Sequence, residues 1–135
     1  MIEFLDTSRK TAFAINEMHI NPVEYFDFNF MISINYSFYM AQKTIFCEKK
    51  RFDDFRSDLM TLYQANSYDL FFSDYERNID INMKKDKTGH ILTNVTLRDF
   101  HDGFESHVYL EYIYDQSFLP DLIRQIDEDL MMISA

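Results

Sequence analysis

The sequence predicts an α+β fold, in which an antiparallel sheet of about six to seven strands carries two amphipathic helices packed on it. Three observations lead to this prediction. Large apolar residues alternate with polar ones from Phe26 to Met40, a period of two that is typical of strands. The period becomes helical from Arg51 to Gln64 and again near the end of the chain. Alternation also returns between the two predicted helices.

The first alternating segment predicts a hairpin. Every even position from 26 to 40 carries a large apolar or aromatic side chain, and most odd positions are polar. The segment is longer than the usual strand of about 5–6 residues. We therefore expect a bend or hairpin near Asn35-Tyr36-Ser37, with a second strand that runs to about Cys47. A two-residue loop is expected to preserve the facing pattern.

Each predicted helix has one apolar stripe. The first stripe comprises Phe52, Phe55, Leu59, Leu62 and Tyr63. In the second helix Ser117 is the expected N-cap and Pro120 lies in the first turn. Its stripe comprises Leu119, Leu122, Ile123, Ile126 and Leu130. Both helices are therefore expected to pack on the sheet.

A short strand from Tyr68 to Phe72 follows the first helix, and Arg77 to Asp115 then reads as a three-stranded antiparallel meander. Its expected turns are Asp86-Lys87-Thr88-Gly89 and His101-Asp102-Gly103. The chain contains no repeat and no linker rich in Ser, Gly or Pro. We therefore expect residues 1–135 to form a single domain.

The charge balance limits the partners. The chain carries 13 Lys and Arg against 23 Asp and Glu, which gives a formal net charge of −10. This balance argues against nucleic acids and anionic membranes, because both attract Lys and Arg, and it favours a basic protein. The lone Cys47 excludes an internal disulfide and suits a reducing compartment. Because the sequence shows no signal peptide or long apolar run, the expected compartment is the cytoplasm.

Few side chains are arranged for chemistry. His101, Asp102 and His107 could hold a metal across a turn, but their spacing matches no established metal motif. Cys47 has no neighbouring histidine to activate its thiol. Paired carboxylates fall on the polar faces of the predicted helices, where water keeps them ionised. No catalytic, metal-binding or cofactor-binding residue is therefore assigned.

Tyrosines are more numerous than a core requires, and several fall on the outward parity of their strands or in turns. A tyrosine can pack its ring while its hydroxyl stays hydrated, a combination that protein interfaces favour. Beside carboxylates, such residues are suited to a basic partner. The predicted partner-binding residues are Tyr39, Asp74, Tyr75, Glu76, Tyr109 and Glu111.

Several segments, between about Phe26 and Leu130, resemble one family, the WapI-like immunity proteins. The turn around Gly89 and the entry to the last helix are the most distinctive. The segments are Ile45-Phe46-Cys47-Glu48-Lys49, Phe52-Asp53-Asp54-Phe55, Ser73-Asp74-Tyr75-Glu76, Lys85-Asp86-Lys87-Thr88-Gly89-His90-Ile91 and Tyr114-Asp115-Gln116-Ser117-Phe118-Leu119-Pro120.

The resemblance implies a cytoplasmic protein that neutralises the toxic C-terminal domain of a polymorphic toxin by forming a tight complex with it. Such toxin domains are commonly nucleases, whose grooves are cationic because they hold phosphates. An acidic chain, as a monomer or weak homodimer, fits such a partner. Two alternatives stay open. One is a small-molecule-binding regulatory or carrier module with a pocket lined by some of the 14 Phe. The other is a metal-dependent hydrolase that uses His101, Asp102 and His107.

Overall fold

The fold is a series of hairpins interrupted by one helix and closed by another. A computed structural model describes residues 1–134. Their strands form two four-stranded antiparallel sheets, in each of which strands that are consecutive in sequence lie side by side. Helix α1 (Lys49–Gln64) connects the sheets, and a 3₁₀ turn (Gln116–Phe118) leads into α2 (Leu119–Ser134). The strands are β1 (Ile2–Leu5), β2 (Thr11–Ile20), β3 (Phe28–Tyr36), β4 (Tyr39–Cys47), β5 (Tyr68–Ser73), β6 (Ile79–Lys85), β7 (His90–His101) and β8 (Phe104–Asp115).

The predicted α+β class is confirmed, with antiparallel strands and two helices. The strands of the described residues number eight and are divided between two sheets, where the sequence predicted six or seven in one. The division falls at α1, which separates β4 from β5 along the chain. The predicted meander is β6–β8, and Gly89 and Gly103 take positive φ in its two turns.

The first hairpin lies where the alternation predicted it, but its facing pattern differs from the prediction. Tyr36 pairs with Tyr39 across the two-residue loop Ser37-Phe38. Paired residues therefore have opposite parity, so the buried face takes even positions on β3 and odd positions on β4. Ile45 is buried accordingly, whereas Met40 is 79% exposed.

A cluster of phenylalanines joins both sheets to α1. Between ring centroids, Phe28 of β3 lies 4.8 Å from Phe52, and Phe55 lies 5.0 Å from Phe72 of β5. Phe30 of β3 contacts both Phe52 and Phe72. Burial of one such side chain contributes about 1.5–3 kcal/mol. The cluster therefore binds the two sheets into one core, and α2 packs against α1, β1 and β2.

The starts of the helical segments are fixed by side chains that the sequence did not indicate. Ser117 was the expected N-cap, but it is Asp115 whose carboxylate accepts a 2.9 Å hydrogen bond from the Ser117 N–H. Pro120 lies in the first turn of α2, as predicted. At α1, Asp27 accepts a 2.7 Å hydrogen bond from the Lys49 N–H. This bond ties the start of α1 to the loop between β2 and β3.

Candidate partner-binding surface

The outer face of the second sheet presents an exposed tyrosine near a carboxylate. The register pairs Thr96 of β7 with Tyr109 of β8, and Asn94 with Glu111. Leu110, between the two β8 residues, is buried, so its neighbours point away from the core. Tyr109 is 46% exposed, which leaves its ring accessible to a partner.

A hydrogen-bond network fixes Tyr109 in place. Its hydroxyl donates a 2.8 Å hydrogen bond to Glu111 Oε2. The Asn94 amide, with its nitrogen turned toward β8, donates to the same Glu111 oxygen at 3.1 Å and to the Tyr109 hydroxyl at 3.2 Å. The hydrogen bond to Glu111 raises the pKa of Tyr109 above its usual value. A side chain held in this way loses less conformational freedom when a partner binds.

Asp74 organises the loop between β5 and β6. Its carboxylate accepts a 2.9 Å hydrogen bond from the Ile79 N–H and a 3.3 Å hydrogen bond from Asn78 Nδ2. Asp74 is only 3% exposed. The sequence predicted it as an accessible contact residue, and this expectation was wrong. The physical reason is that a buried carboxylate must satisfy its oxygens locally, and here the loop backbone supplies the donor.

Tyr75 and Glu76 form the exposed crest of this loop. Tyr75 is 75% exposed, and its ring centroid lies 6.1 Å from that of Phe26 in the β2–β3 loop. Phe26 in turn lies 5.0 Å from Tyr25. Glu76 is exposed and accepts a 3.4 Å hydrogen bond from Asn78. The β2–β3 loop, which the sequence pattern did not indicate, thus extends the aromatic surface.

The six predicted residues do not form one patch. Ser73, at the end of β5, lies in register with Tyr109 across β6 and β7. The β5–β6 loop therefore begins three strand spacings, about 14 Å, from Tyr109. Tyr39 belongs to the first sheet, where its ring lies 4.7 Å from Phe38. It was expected on the outward side of its strand, but it pairs with Tyr36 on the core-facing side and is 38% exposed because it lies at the end of the hairpin. The structure thus brings the two β8 residues together, holds the loop residues as a second group on the same sheet, and places Tyr39 on the other sheet.

Comparison with known families identifies the chain. The model of the immunity protein WapI-like family matches residues 27–132. The chain belongs to this family. The match spans all six predicted contact residues. No curated protein and no solved structure matches the chain. Membership in the WapI-like family makes the chain an immunity protein against a toxin, and such proteins are generally not enzymes.

The histidines of the alternative metal set do not converge in this WapI-like protein. Within residues 1–134, no group of three His, Cys, Asp or Glu side chains is placed to hold a metal ion. His101 Nδ1 lies 3.7 Å from Asp99, and His107 Nδ1 lies 3.7 Å from Glu105. Each histidine therefore faces a carboxylate of its own, and neither pair includes Asp102.

Cys47 is buried at the end of β4. Desolvation, followed by the charge of Asp74, raises the pKa of its thiol to about 12. The thiolate is therefore scarce at neutral pH, and a thiol is a poor nucleophile.

A cleft of about 340 Å³ lies between α1 and β5. Its lining mixes phenylalanines with charged side chains of both signs, among them Lys50, Arg51 and Asp54. This lining differs from the mostly apolar pocket that a small-molecule carrier needs.

No helix in the described part of the chain is long and apolar enough to cross a bilayer.

Proposed function

We propose that this protein neutralises the toxic C-terminal domain of a polymorphic toxin, a basic nuclease domain, by covering its active groove. The observation that carries the proposal is the family match over residues 27–132. The exposed Tyr75 and Tyr109, with the neighbouring carboxylates of Glu76 and Glu111, supply the physical means of binding.

Charge supports a basic partner. The chain has a net charge of −10, and a nuclease groove must be cationic to hold phosphates. Long-range attraction between such surfaces raises association rates to about 10⁸ M⁻¹s⁻¹ at low salt. The carboxylates of Glu76 and Glu111 lie next to the proposed anchors, so they mimic phosphate where contact is made.

The affinity comes from buried aromatic anchors, since charges at an interface rim mostly change rates and salt dependence. The anchors are Tyr75, Tyr109 and Tyr39. Tyr109 is pre-organised by its hydrogen bond to Glu111. Asp74 contributes indirectly, because its hydrogen bonds hold the loop that presents Tyr75.

The complex forms in the cytoplasm, with the immunity protein as a monomer or weak homodimer. The lone cysteine, Cys47, is free and buried, which suits a reducing compartment. The charge of −10 disfavours strong self-association, because like charges repel.

The test uses the purified C-terminal domain of the cognate toxin. Its association rate is measured between about 20 and about 500 mM NaCl, where the Debye length falls from about 20 Å to below about 5 Å. We expect association to slow steeply with salt. A rate that does not change would remove the electrostatic part of the proposal. Failure of the chain to protect cells that produce the toxin would remove the whole proposal.

A matched pair of variants tests the anchors. Tyr109→Ala is expected to weaken binding about 30-fold, the loss typical of a central aromatic contact. Tyr63→Ala on α1 is the control, since Tyr63 is similarly exposed, at 42%, and lies outside the proposed surface. Equal affinities for the two variants would exclude Tyr109 as an anchor.

A further inference from the structure

Strands β7 and β8 run past the rest of their sheet. Pairing between β6 and β7 ends at Ile79 and Leu97, whereas β7 and β8 continue for four more pairs. We call these residues, 98–107, the arm. The Arg98 N–H still donates a 2.7 Å hydrogen bond to the Asn78 carbonyl next to β6. At about 3.4 Å per residue, the three remaining pairs extend the arm about 10 Å beyond this bond. Every residue from 99 to 107 is exposed.

The arm is braced at its base and at its tip. A lone two-stranded ribbon is only marginally stable in water. Here Arg98 forms a 2.6 Å ion pair with Asp80 of β6. Lys43 of the first sheet donates hydrogen bonds to the Arg98 carbonyl at 3.1 Å and to the Asp99 carboxylate at 2.8 Å. At the tip, residues 102 and 103 have φ of 50° and 79°, the geometry of a tight Asp-Gly hairpin turn.

The arm carries a phenylalanine on each face. Phe100 pairs with Glu105, and Phe104 pairs with His101 at the next position, so the two rings lie on opposite faces. They are 53% and 72% exposed, and neither belongs to the hydrophobic core. A flat partner covers only one face of a ribbon. Burial of both rings therefore requires a concave partner that surrounds the arm.

The charge of the arm indicates which charge the concave surface of the partner carries. The arm contains three carboxylates and one arginine, Arg98. Asp99 pairs with Lys43 at 2.8 Å and Glu105 lies 3.8 Å from Arg98, so among the described residues Asp102, at the tip, is the arm carboxylate without an ion pair. The cations that brace the arm, Lys43 and Arg98, lie at its base. A projecting acidic element of this kind complements a cationic cleft.

We propose that the arm inserts into the cationic active cleft of the toxin domain and buries Phe100 and Phe104 against opposite walls. This inference rests on the proposed function and specifies which element enters the cleft. The outer face of the arm continues directly into the surface around Tyr109, because Glu105, His107 and Tyr109 project on the same side of β8.

The test compares two double variants of the full chain, with the purified toxin domain as the probe. Phe100→Ser with Phe104→Ser is expected to weaken binding by about 30-fold or more. The control is Met131→Ser with Met132→Ser on α2, where the side chains are 73% and 79% exposed. The control is expected to bind as wild type does. Both variants are expected to keep the wild-type melting temperature, because exposed side chains contribute little to stability.

Charge and protection provide two further readouts. Asp102→Asn with Glu105→Gln is expected to slow association severalfold at low salt and not at high salt. Asparagine tolerates the positive φ at position 102, so the turn is kept. In the unmodified complex, amide hydrogen exchange from 99 to 107 is expected to slow when the toxin domain binds.

The outcomes separate the arm from the proposed function. Suppose that wild type binds the toxin domain. If the phenylalanine variant then binds equally well, or if hydrogen exchange in the arm does not slow, the inference about the arm is overturned and the proposed function stands. If wild type does not bind the toxin domain, both are overturned. If sedimentation shows that wild type is a dimer and that the phenylalanine variant is a monomer, the arm binds a second copy of the chain. This result also overturns the inference.

Discussion

Asp74 offers a sharp test of how the β5–β6 loop is held. Asp74→Ala removes the acceptor of the 2.9 Å bond from the Ile79 N–H and of the 3.3 Å bond from Asn78. A hydrogen bond to a charged group contributes about 1.5–3 kcal/mol, and the longer second bond contributes about 0.5–1 kcal/mol. The Ile79 N–H would also be left buried without this partner. We expect a loss of about 2–4 kcal/mol in the free energy of unfolding.

Urea unfolding followed by circular dichroism measures this loss. With a slope of about 2 kcal/mol per molar urea, the midpoint is expected to fall by about 1–2 M. Asp74→Asn, which keeps one acceptor oxygen, is expected to fall between the alanine variant and wild type. Asp69→Ala is the control, because Asp69 is exposed on β5, the strand that leads into this loop, and its effect is expected to stay within about 0.5 kcal/mol. Equal midpoints for the Asp74→Ala and Asp69→Ala variants would refute the role assigned to Asp74.

Three further predictions concern buried or paired groups. The Cys47 thiol, with its pKa raised by desolvation to about 12, is expected to resist a thiol reagent at about pH 8 until the protein is denatured; fast reaction of the folded protein would contradict this. Lys85 is buried and donates 3.0 and 3.1 Å hydrogen bonds to the carbonyls of residues 62 and 63. Lys85→Met is expected to lower the free energy of unfolding by about 1–3 kcal/mol in urea, and a neutral result would exclude this helix-end contact. The hydrogen bond from Arg56 lowers the pKa of Asp127, so their ion pair stabilises the fold above about pH 4 and is lost as pH falls through the lowered pKa. The difference in melting temperature between wild type and Asp127→Asn is therefore expected to vanish in acid, and a difference that persists there would count against the pair.

Local patterns predicted the elements of the fold but not how they face one another. The alternation before α1 located the first hairpin, and a two-residue loop joins its strands. Such a loop pairs positions of opposite parity, as Tyr36 with Tyr39, so the even positions after the turn face outward and the expected facing of β4 was wrong. The division into two sheets depends on contacts across α1, such as those of Phe30 with Phe52 and Phe72. Contacts between residues so far apart in sequence leave no local signal.

The candidate surface was predictable where exposure follows strand parity. Tyr109 and Glu111 project outward from β8 because inward and outward positions alternate. Asp74 could not be recognised as a buried acceptor, because its partner N–H belongs to Ile79 and meets it only when the loop has folded. The projection of the arm could not be predicted from the sequence for a related reason. Its Asp-Gly turn is visible in the sequence, but its projection depends on β6 pairing no further than Leu97.

The most direct test of the central claim is a titration of the toxin domain's catalytic activity with this chain. If the chain neutralises the toxin by occupying its active groove, activity should fall linearly and reach background at equal molar amounts. The Tyr109→Ala variant should reduce toxin activity less than wild type does, at concentrations below the variant's dissociation constant for the toxin domain. Full toxin activity in the presence of excess wild-type chain would contradict the account.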